Sequence, residues 1–308
     1  MRHLIWLLTI GCGLMASCGQ SYEEQKQLSR AERAKQAKEN AAALKIAVMP
    51  TLDCLPLYVA RQYGLFEKLG ADVRLKFFMA QMDCDTALAG GSVEGAMTDL
   101  VRAVRLSKQG VPLTYKIATD AYWQLITNRN ARIKTLKQLD DKMVAMTRYS
   151  ATALMADLAV DSAKLQTERV FRIQVNDVSV RLQMLLTNEM DAMLLTEPQA
   201  TVARSSKHRV LLDSRQLDMR FGVLALRSKA IKTRDRQQQT DVLVKAYNQA
   251  CDSINKYGVA HYRELIAKQC RIKAALVDSI PTDLKFHHAV GPRQKDIERV
   301  EQWLKRQE

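Results

Sequence analysis

Histidine is scarce in this chain: five of its 308 residues are histidines, and they form no recognisable catalytic set. His3 lies in an apolar leader, His208 precedes a short strand pattern, and His261, His287 and His288 fall in a helical C-terminal stretch. Covalent or acid–base catalysis needs a nucleophile, a base and an orienting group within reach of one another. The sequence therefore predicts a protein that binds its ligand without reacting with it, and no cofactor is expected.

A concentrated basic segment is also missing, although 47 Lys and Arg exceed 33 Asp and Glu and give a formal net charge of +14. The cations are spread along the chain, with no basic block and no aromatic RNA-binding motif. A helix pair of the DNA-binding type is not seen either. Nucleic acid is thus not expected as a partner, and the excess charge predicts a solvated basic surface. Attraction to anionic lipid headgroups is left open.

The apolar run at the start of the chain is short. A basic start precedes the run from Leu4 to Met15, and small residues lead to Cys18. This is typical of an export signal, and it is too short for a membrane span. Met-Ala-Ser-Cys resembles a bacterial lipobox, which implies that residues 1–17 are a signal peptide and that Cys18 is lipidated. An uncleaved anchor or an ordinary signal peptide is the alternative.

Large apolar residues are almost absent from Ser21 to Ala43, where Glu, Gln, Lys, Arg and Ala dominate. Such a segment cannot bury a core, so residues 18–43 are interpreted as the lipidated cysteine and a charged, partly helical tether. Acyl chains on Cys18 would hold the protein at a membrane and leave the domain in water. The roughly 260 residues that follow fit two linked lobes better than one core.

Four cysteines remain outside the leader: Cys54, Cys84, Cys251 and Cys270. An even count in an oxidising compartment favours disulfides. We expect Cys54 to pair with Cys84, in loops at one sheet edge, and Cys251 with Cys270 in the C-terminal helices. Four free buried thiols are the alternative. No CxxC motif and no Cys/His spacing of the zinc type occurs, so a metal site is not expected.

Strand and helix patterns alternate from Leu44 to Leu106. Residues 44–49 alternate as a strand, residues 55–63 carry apolar positions at helical spacing, and Gly64 ends that helix. A second strand pattern follows, and the Asp- and Thr-rich stretch MDCDTALAGGSVEGAM is predicted to begin a second helix. This order builds an open α/β sheet, in which ligands bind at the carboxyl edge of the strands.

The segments LPLYVARQYGLFEKLGADVRL, ALAGGSVEGAM and TDLVRA resemble the periplasmic solute-binding proteins of ABC importers, in the sulfonate/taurine and thiamine-precursor (NMT1/THI5-like) group. The similarity runs from Leu44 to Lys229 and is most specific at Gly-Leu-Phe-Glu-Lys and at Glu197-Pro198. It implies the type II periplasmic-binding-protein fold, in which two α/β lobes joined by a two-strand hinge close on a solute. It also implies an ABC permease and ATPase as partners.

Strand and helix patterns continue to the end of the chain and predict two passages between the lobes. We expect residues 44–123 to form the first part of lobe 1 and residues 124–218 to form lobe 2. Residues 219–308 are expected to return to lobe 1 with a strand and C-terminal helices.

Polar residues at predicted strand ends and helix starts define the candidate ligand site. They are Asp53, Gln81, Asp83, Thr98 and Asp99 from lobe 1, with Ser150, Asn176 and Glu197 from lobe 2. Carboxylates suit an amine or aminopyrimidine, whereas helix starts favour an anion such as a sulfonate, so both ligand classes stay open. Helix capping is the alternative role for each carboxylate. Glu197 is the strongest candidate, because the resemblance also places the ligand there.

The expected function is that of a lipid-anchored, extracytoplasmic solute-binding protein, on the periplasmic side of a bacterial membrane. It would deliver a thiamine-precursor or sulfonate-like solute to an ABC permease. A lipoprotein of the same fold that senses or scavenges a metabolite without a permease is the alternative.

Overall fold

The computed structural model describes residues 30–307, so the predictions about the export signal and Cys18 lie outside the described residues. The chain divides into two compact units, Met1–Ala42 and Ala43–Glu308. In the first unit, helix α1 (Arg30–Ala42) contains no large apolar residue and has an exposed surface. Within the described part of the chain, no helix is both long enough and apolar enough to cross a membrane.

The second unit contains two five-stranded sheets. Its strands are β1 (Leu44–Val48), β2 (Val73–Phe77), β3 (Gly95–Asp99), β4 (Leu113–Ala118), β5 (Gln124–Thr127), β6 (Lys142–Met146), β7 (Val170–Gln174), β8 (Ala192–Leu195), β9 (Arg209–Asp213) and β10 (Gly222–Arg227). The first sheet has the order β2-β1-β3-β10-β4 and the second has the order β7-β6-β8-β5-β9. In each sheet only the fourth strand runs antiparallel to its neighbours.

Helices cover the sheets. They are α2 (Leu55–Gln62), α3 (Leu65–Lys68), α4 (Gln81–Gly90), α5 (Leu100–Lys108), α6 (Ala151–Ala163), α7 (Val178–Leu186), α8 (Gln199–Ser205), α9 (Arg234–Tyr257), α10 (Arg263–Cys270), α11 (Ala274–Val277) and α12 (Gln294–Lys305), with 3-10 turns at Leu52–Cys54, Leu136–Leu139, Thr167–Arg169 and Val259–Tyr262. Two sheets, each covered by helices, form two α/β lobes and confirm the predicted fold class.

The chain passes between the sheets twice, through residues 119–123 and 214–221. The two passages are hydrogen-bonded to each other: Trp123 N donates to Ser214 Oγ and Ser214 N donates to Trp123 O, both at 3.0 Å. The reversed strands β5 and β10 each follow one passage directly. The passages therefore form a hinge of two adjacent segments, whereas the exact lobe boundaries at 123/124 and 218/219 stay predictions.

Strand β3 was not expected, because its stretch was assigned to the start of a helix. Gly95 explains the weak signal. A Cβ atom at Gly95 would lie 2.4 Å from Leu226 Cδ2 and 3.0 Å from Ile46 Cδ1, since β3 is packed between β1 and β10. Tight packing thus selects glycine where a β-branched residue would normally mark a strand.

The disulfide expectation needs correction. Cys54, Cys84, Cys251 and Cys270 are all free and buried, so neither expected pair is formed. Each thiol lies in the apolar core of the first lobe; Cys54 Sγ contacts Thr51 Oγ1 at 3.6 Å, for example. Burial raises the pKa of Cys251 to about 12 and raises those of the other three as well. The thiols therefore stay protonated and pack as small apolar groups.

Candidate functional site

A polar cavity lies where the carboxyl ends of strands from both sheets meet. Its lining includes strand-end and helix-start residues of both lobes: Met49, Thr51, Asp53, Gln81, Met97, Thr98, Asp99, Arg102, Ala121, Trp123, Thr147, Ser150, Thr152, Asn176, Val178, Arg181 and Thr196. The space available to the centre of a water-sized sphere is about 60 Å³. Since one water needs roughly 10–15 Å³ on this measure, the cavity has room for only a few water-sized groups.

Hydrogen bonds between the two lobes hold this cavity closed. They join Leu52 N to Glu197 O (2.8 Å), Gln199 Nε2 to Pro50 O (2.8 Å) and Ala151 N to Asp99 Oδ1 (3.1 Å). A further backbone bridge pairs Ala80 with Asp177. The structure thus shows the two lobes in contact over the cavity, as in the closed state of a hinged binding protein.

Asp99 ends β3 and caps a helix from each lobe. Its Oδ1 accepts from Arg102 N in α5 and from Ala151 N in α6, both at 3.1 Å. Burial raises the pKa of Asp99 to about 6; Arg102 acts in the opposite direction, and the charge of Asp85 adds to the rise. One carboxylate therefore links the lobes at the cavity wall.

Arg102 lines the cavity from α5 and is 4% exposed. Its Nη1 donates to Asp85 Oδ2, and its Nε lies 3.5 Å from Asp99 Oδ2. These two carboxylates compensate the guanidinium charge. The buried Nη2, however, has no hydrogen-bond partner among the described residues, so it can donate to a ligand.

Arg181 faces the same cavity from α7 and is 7% exposed. Its Nη1 donates to Leu194 O at 2.9 Å, whereas its buried Nε has no partner in residues 30–307. No described carboxylate lies within ion-pair distance of its guanidinium. Burial lowers the pKa of Arg181 to about 10 and the charge of Arg102 lowers it further, whereas the charge of Asp177 acts in the opposite direction. Buried charges in proteins are normally paired, and Arg181 forms no ion pair with a described carboxylate.

The starts of α6 and α7 at the cavity are already occupied by side chains of the protein. Ser150 Oγ accepts from Thr152 N at 3.1 Å in α6, and Asp177 Oδ1 accepts from Ser179 N and Val180 N in α7. Unpartnered guanidinium N–H groups thus supply donors that the capped helix starts do not.

Six of the eight residues predicted for the site line the cavity: Asp53, Gln81, Thr98, Asp99, Ser150 and Asn176. Gln81 Nε2 donates to Thr98 Oγ1 at 3.2 Å across the wall. Asp83 does not line it, because the side chain is exposed on the first turn of α4. That helix begins after Ala80 with no side-chain cap, so the capping expected there does not occur.

Glu197 lies beside the cavity and does not line it. Both carboxylate oxygens are engaged: Oε1 accepts from Tyr122 Oη and Arg204 Nη2 at 2.6 Å, and Oε2 accepts from Thr201 N at 3.0 Å. It borders a smaller adjoining cavity that also contains Asp53. Direct ligand binding by Glu197 stays a prediction, and the observed contacts are those of a group that braces the wall.

Sequence reasoning missed the two arginines, because it weighed only carboxylates and small polar residues. A signal does exist. Arg102 follows Asp99 by three residues and Arg181 follows Asp177 by four, each within an otherwise apolar helix start. An arginine on the inward side of such a helix, one turn after a strand-end acid, points toward the carboxyl edge of the sheet.

No group of three or more His, Cys, Asp and Glu side chains suited to a metal ion occurs within the described part of the chain. The cavity lining offers guanidinium, hydroxyl, amide and carboxylate groups.

Two hinged α/β lobes that close on a polar cavity define the class of two-lobed binding proteins. Within it, the chain belongs to the NMT1-like family, whose model matches residues 37–270. This confirms the family resemblance seen in the sequence. No curated protein matches the chain.

Solved structures share this fold. The alkanesulfonate-binding protein SsuA from Xanthomonas axonopodis pv. citri, bound to MOPS, has a TM-score of 0.71 at 15% identity, covering 86% of this chain and 91% of its own. The periplasmic aliphatic sulphonate binding protein SsuA from Escherichia coli has 0.68 at 17% identity, covering 86% and 92%. The periplasmic nitrate-binding protein NrtA from Synechocystis PCC 6803 has 0.68 at 14%, covering 83% and 74%. At these identities the likeness shows a shared fold.

Proposed function

We propose that this protein is the solute-binding component of an ABC importer and that it captures a small organic anion between its lobes. The family, the hinge and the closed cavity support this proposal, and the similar sulfonate- and nitrate-binding proteins bind anions. A permease and an ATPase would be its partners on the extracytoplasmic side of a bacterial membrane. Lipidation of Cys18 belongs to the same proposal.

The observation that carries the proposal is the buried Arg181, which has no ion-pair partner among the described residues. An anionic group in the cavity would accept from Arg181 Nε and Arg102 Nη2 and would supply the missing negative charge. Arginine is well suited to this role, because its planar fork matches the geometry of oxyanions.

Of the two ligand classes left open by the sequence, this arrangement favours the sulfonate-like one. The exocyclic amine of an aminopyrimidine needs acceptors, yet Asp99 already accepts from two backbone amides and Glu197 does not line the cavity. The remaining carboxylate of the lining is Asp53, and burial raises its pKa and so disfavours its charged form. The small free volume further favours a ligand of few heavy atoms. Short alkanesulfonates and short carboxylates meet both conditions.

The test is thermal unfolding and calorimetric titration of residues 43–308 with methanesulfonate, taurine, acetate and an aminopyrimidine thiamine precursor. A ligand that binds only the native state raises Tm with its concentration. We expect stabilisation by at least one of the short anions and none by the aminopyrimidine.

Arg181→Met is the decisive variant. We expect it to weaken binding of the stabilising anion by about 100-fold, as for loss of a charge-assisted hydrogen bond of about 3 kcal/mol. The free energy of unfolding without ligand should stay within about 1 kcal/mol, because removing an unpaired buried charge offsets the lost bond to Leu194. If Arg181 had only a structural role, Arg181→Met would lower the free energy of unfolding and leave anion binding unchanged.

Arg169→Gln is the matched control, since Arg169 is exposed, pairs with Asp140, and neither residue lines the cavity. It should leave anion binding unchanged. Equal binding by the parent and by Arg181→Met would reject the proposed site.

A further inference from the structure

The smaller cavity beside Glu197 shares a wall with the main cavity, in which the anion is proposed to bind. Asp53, Ala121 and Thr196 line both cavities and form this common wall. We call the smaller one the hinge cavity, because it also borders residues 120–122 of the first passage. The space available to the centre of a water-sized sphere is about 20 Å³ there. At roughly 10–15 Å³ for one water, the hinge cavity has room for one or two water-sized groups.

The rest of the hinge cavity is largely apolar. Leu52, Tyr247, Leu284 and Phe286 line it and do not line the main cavity. The first, second and fourth of these side chains are at most 5% exposed, and all four belong to or pack against the apolar core of the first lobe. A cavity enclosed by such side chains favours a hydrocarbon group over water.

Most charged groups at the hinge cavity are already hydrogen-bonded within the protein or exposed to solvent. Glu197 accepts three hydrogen bonds from neighbouring groups. Asp120 Oδ2 accepts from His287 N at 2.8 Å, and Asp120 Oδ1 lies 2.6 Å from His287 Nδ1. Lys285 is exposed. A charged group of a ligand would therefore find no free partner of opposite charge here apart from Asp53 in the common wall.

The hinge cavity and Arg181 lie on different sides of the main cavity. Arg181 belongs to α7, which connects the edge strand β7 to β8. Residues 120–122, in contrast, lead into β5, and β5 lies on the other side of β8. A ligand whose anionic group binds Arg181 thus extends its remaining atoms toward the hinge. Ala121, with only a methyl group, leaves room in the common wall for a chain to pass.

We propose that the solute is an anion with a short linear hydrocarbon chain and that the end of this chain binds in the hinge cavity. This inference rests on the proposed function, because it needs the anionic group at Arg181. The main cavity holds roughly four to six water-sized groups, of which a sulfonate takes about four, and the hinge cavity adds one or two. Chains of roughly two to four carbon atoms therefore fit best.

The test uses residues 43–308, which form one compact unit with both sheets and all three apolar cores. They are titrated calorimetrically with the linear alkanesulfonates from methanesulfonate to hexanesulfonate and with the linear carboxylates from acetate to heptanoate. We expect affinity to rise by about four-fold per methylene group up to a chain of about two to four carbons, and to fall for the longest chains. Equal affinity for methanesulfonate and propanesulfonate would overturn the proposal.

Taurine distinguishes an apolar site from a polar one. It has the shape of propanesulfonate, with an ammonium group in place of the terminal methyl group. Propanesulfonate should bind at least about ten-fold more tightly, because the ammonium group would lose its hydration in an apolar cavity. Taurine that binds as tightly as propanesulfonate would show that a carboxylate receives the end of the chain, and would reject the hydrocarbon site.

Two substitutions change the size of the hinge cavity in opposite directions. Phe286→Leu enlarges it and should shift the preferred chain by about one or two carbons to greater length. Leu284→Trp fills it and should reduce the gain from methanesulfonate to propanesulfonate to less than about two-fold. Affinity for methanesulfonate should be unchanged in both variants, because neither residue lines the main cavity.

Phe66→Leu is the matched control for Phe286→Leu. Phe66 is buried in the same apolar core and lines neither cavity, so its substitution should destabilise the protein and leave the preferred chain length as in the parent. An equal shift of the preferred chain in both variants would reject the assignment to the hinge cavity.

A failure of this inference and a failure of the proposed function give different results. Anion binding that depends on Arg181 but not on chain length would retain the proposed function and reject the hydrocarbon site. Absence of binding by every anion of both series would reject both proposals.

Discussion

At the scale of single residues, the site depends on how three buried side chains share charge. Arg102 is compensated by Asp85 and Asp99, whereas Arg181 forms no ion pair with a described carboxylate. Asp99 is also bound to backbone amides of both lobes. The same carboxylate thus affects helix capping, lobe contact and the electrostatic potential that an anion meets.

Anion affinity is expected to depend on pH through Asp99. The pKa of Asp99 is raised to about 6 by burial, so the group gains a proton as the pH falls through that value. Protonation of Asp99 removes a negative charge from the cavity wall. Arg102 and the carboxylate Asp85 face Asp99 in both protonation states. Affinity for methanesulfonate should therefore rise between about pH 8 and about pH 5, by at most about ten-fold per pH unit. Calorimetric titration at several pH values measures this.

Asp99→Asn should remove most of that slope, and Asp83→Asn, at an exposed carboxylate outside the cavity, should leave it in place. A slope that persists in Asp99→Asn would assign the titration to another group. The raised pKa of Asp99 also affects folding, because the ionised carboxylate is less stable in the native state than in the unfolded chain. The contribution of Asp99 to the free energy of unfolding therefore decreases as the pH rises from about 4 to about 6.

At the scale of secondary-structure elements, strands and helices with regular apolar spacing were predicted closely. Residues 44–49 and 55–63 were assigned to a strand and a helix, and each prediction ends one residue beyond the observed β1 and α2. Strand β3 was missed, because Gly95, Ala96 and Asp99 carry little strand propensity. Its formation depends on pairing with β1 and β10 from distant parts of the chain.

Gly95→Ala should destabilise the protein by roughly 1–3 kcal/mol, because the added methyl group meets Leu226 and Ile46 in a packed sheet. Chemical denaturation followed by circular dichroism measures the change in the free energy of unfolding. Gly90→Ala provides the comparison: nothing lies within 4 Å of a Cβ there, and alanine is the better helix former. A Gly95→Ala protein as stable as the parent would contradict the tight packing assigned to β3.

At the scale of the whole molecule, the hinge and the contacts across the cavity define two states of one protein. Adjacent passages at 119–123 and 214–221 permit rotation of one lobe against the other, and the closed form is held by hydrogen bonds between the lobes together with an apolar cluster to which both lobes contribute, with Leu100 from the first and Leu154 from the second. A substitution in one of these contacts should shift the populations of the two states.

Gln199→Ala removes the bond from Gln199 Nε2 to Pro50 O and should favour the open form. Loss of about 1 kcal/mol corresponds to a roughly five-fold change in the ratio of closed to open molecules. Small-angle scattering should show a larger radius of gyration for the unliganded variant than for the parent, and saturating anion should restore compactness. Gln183→Ala, at an exposed position of α7, should scatter as the parent does. Identical curves for all three proteins, with and without anion, would argue against a hinge.

The sequence by itself determined the alternation of strands and helices apart from β3, the family, and the edge of the sheets where polar residues gather, because apolar periodicity and strand-end residues are local features. Only the tertiary structure decided which side chains face the cavity. It placed Arg102 and Arg181 there, enclosed Glu197 among Tyr122, Arg204 and Thr201, and kept the four cysteines apart as thiols. Whether a buried charge has a partner of opposite charge depends on residues that the two lobes bring together from distant parts of the chain. Local sequence patterns do not identify those partners.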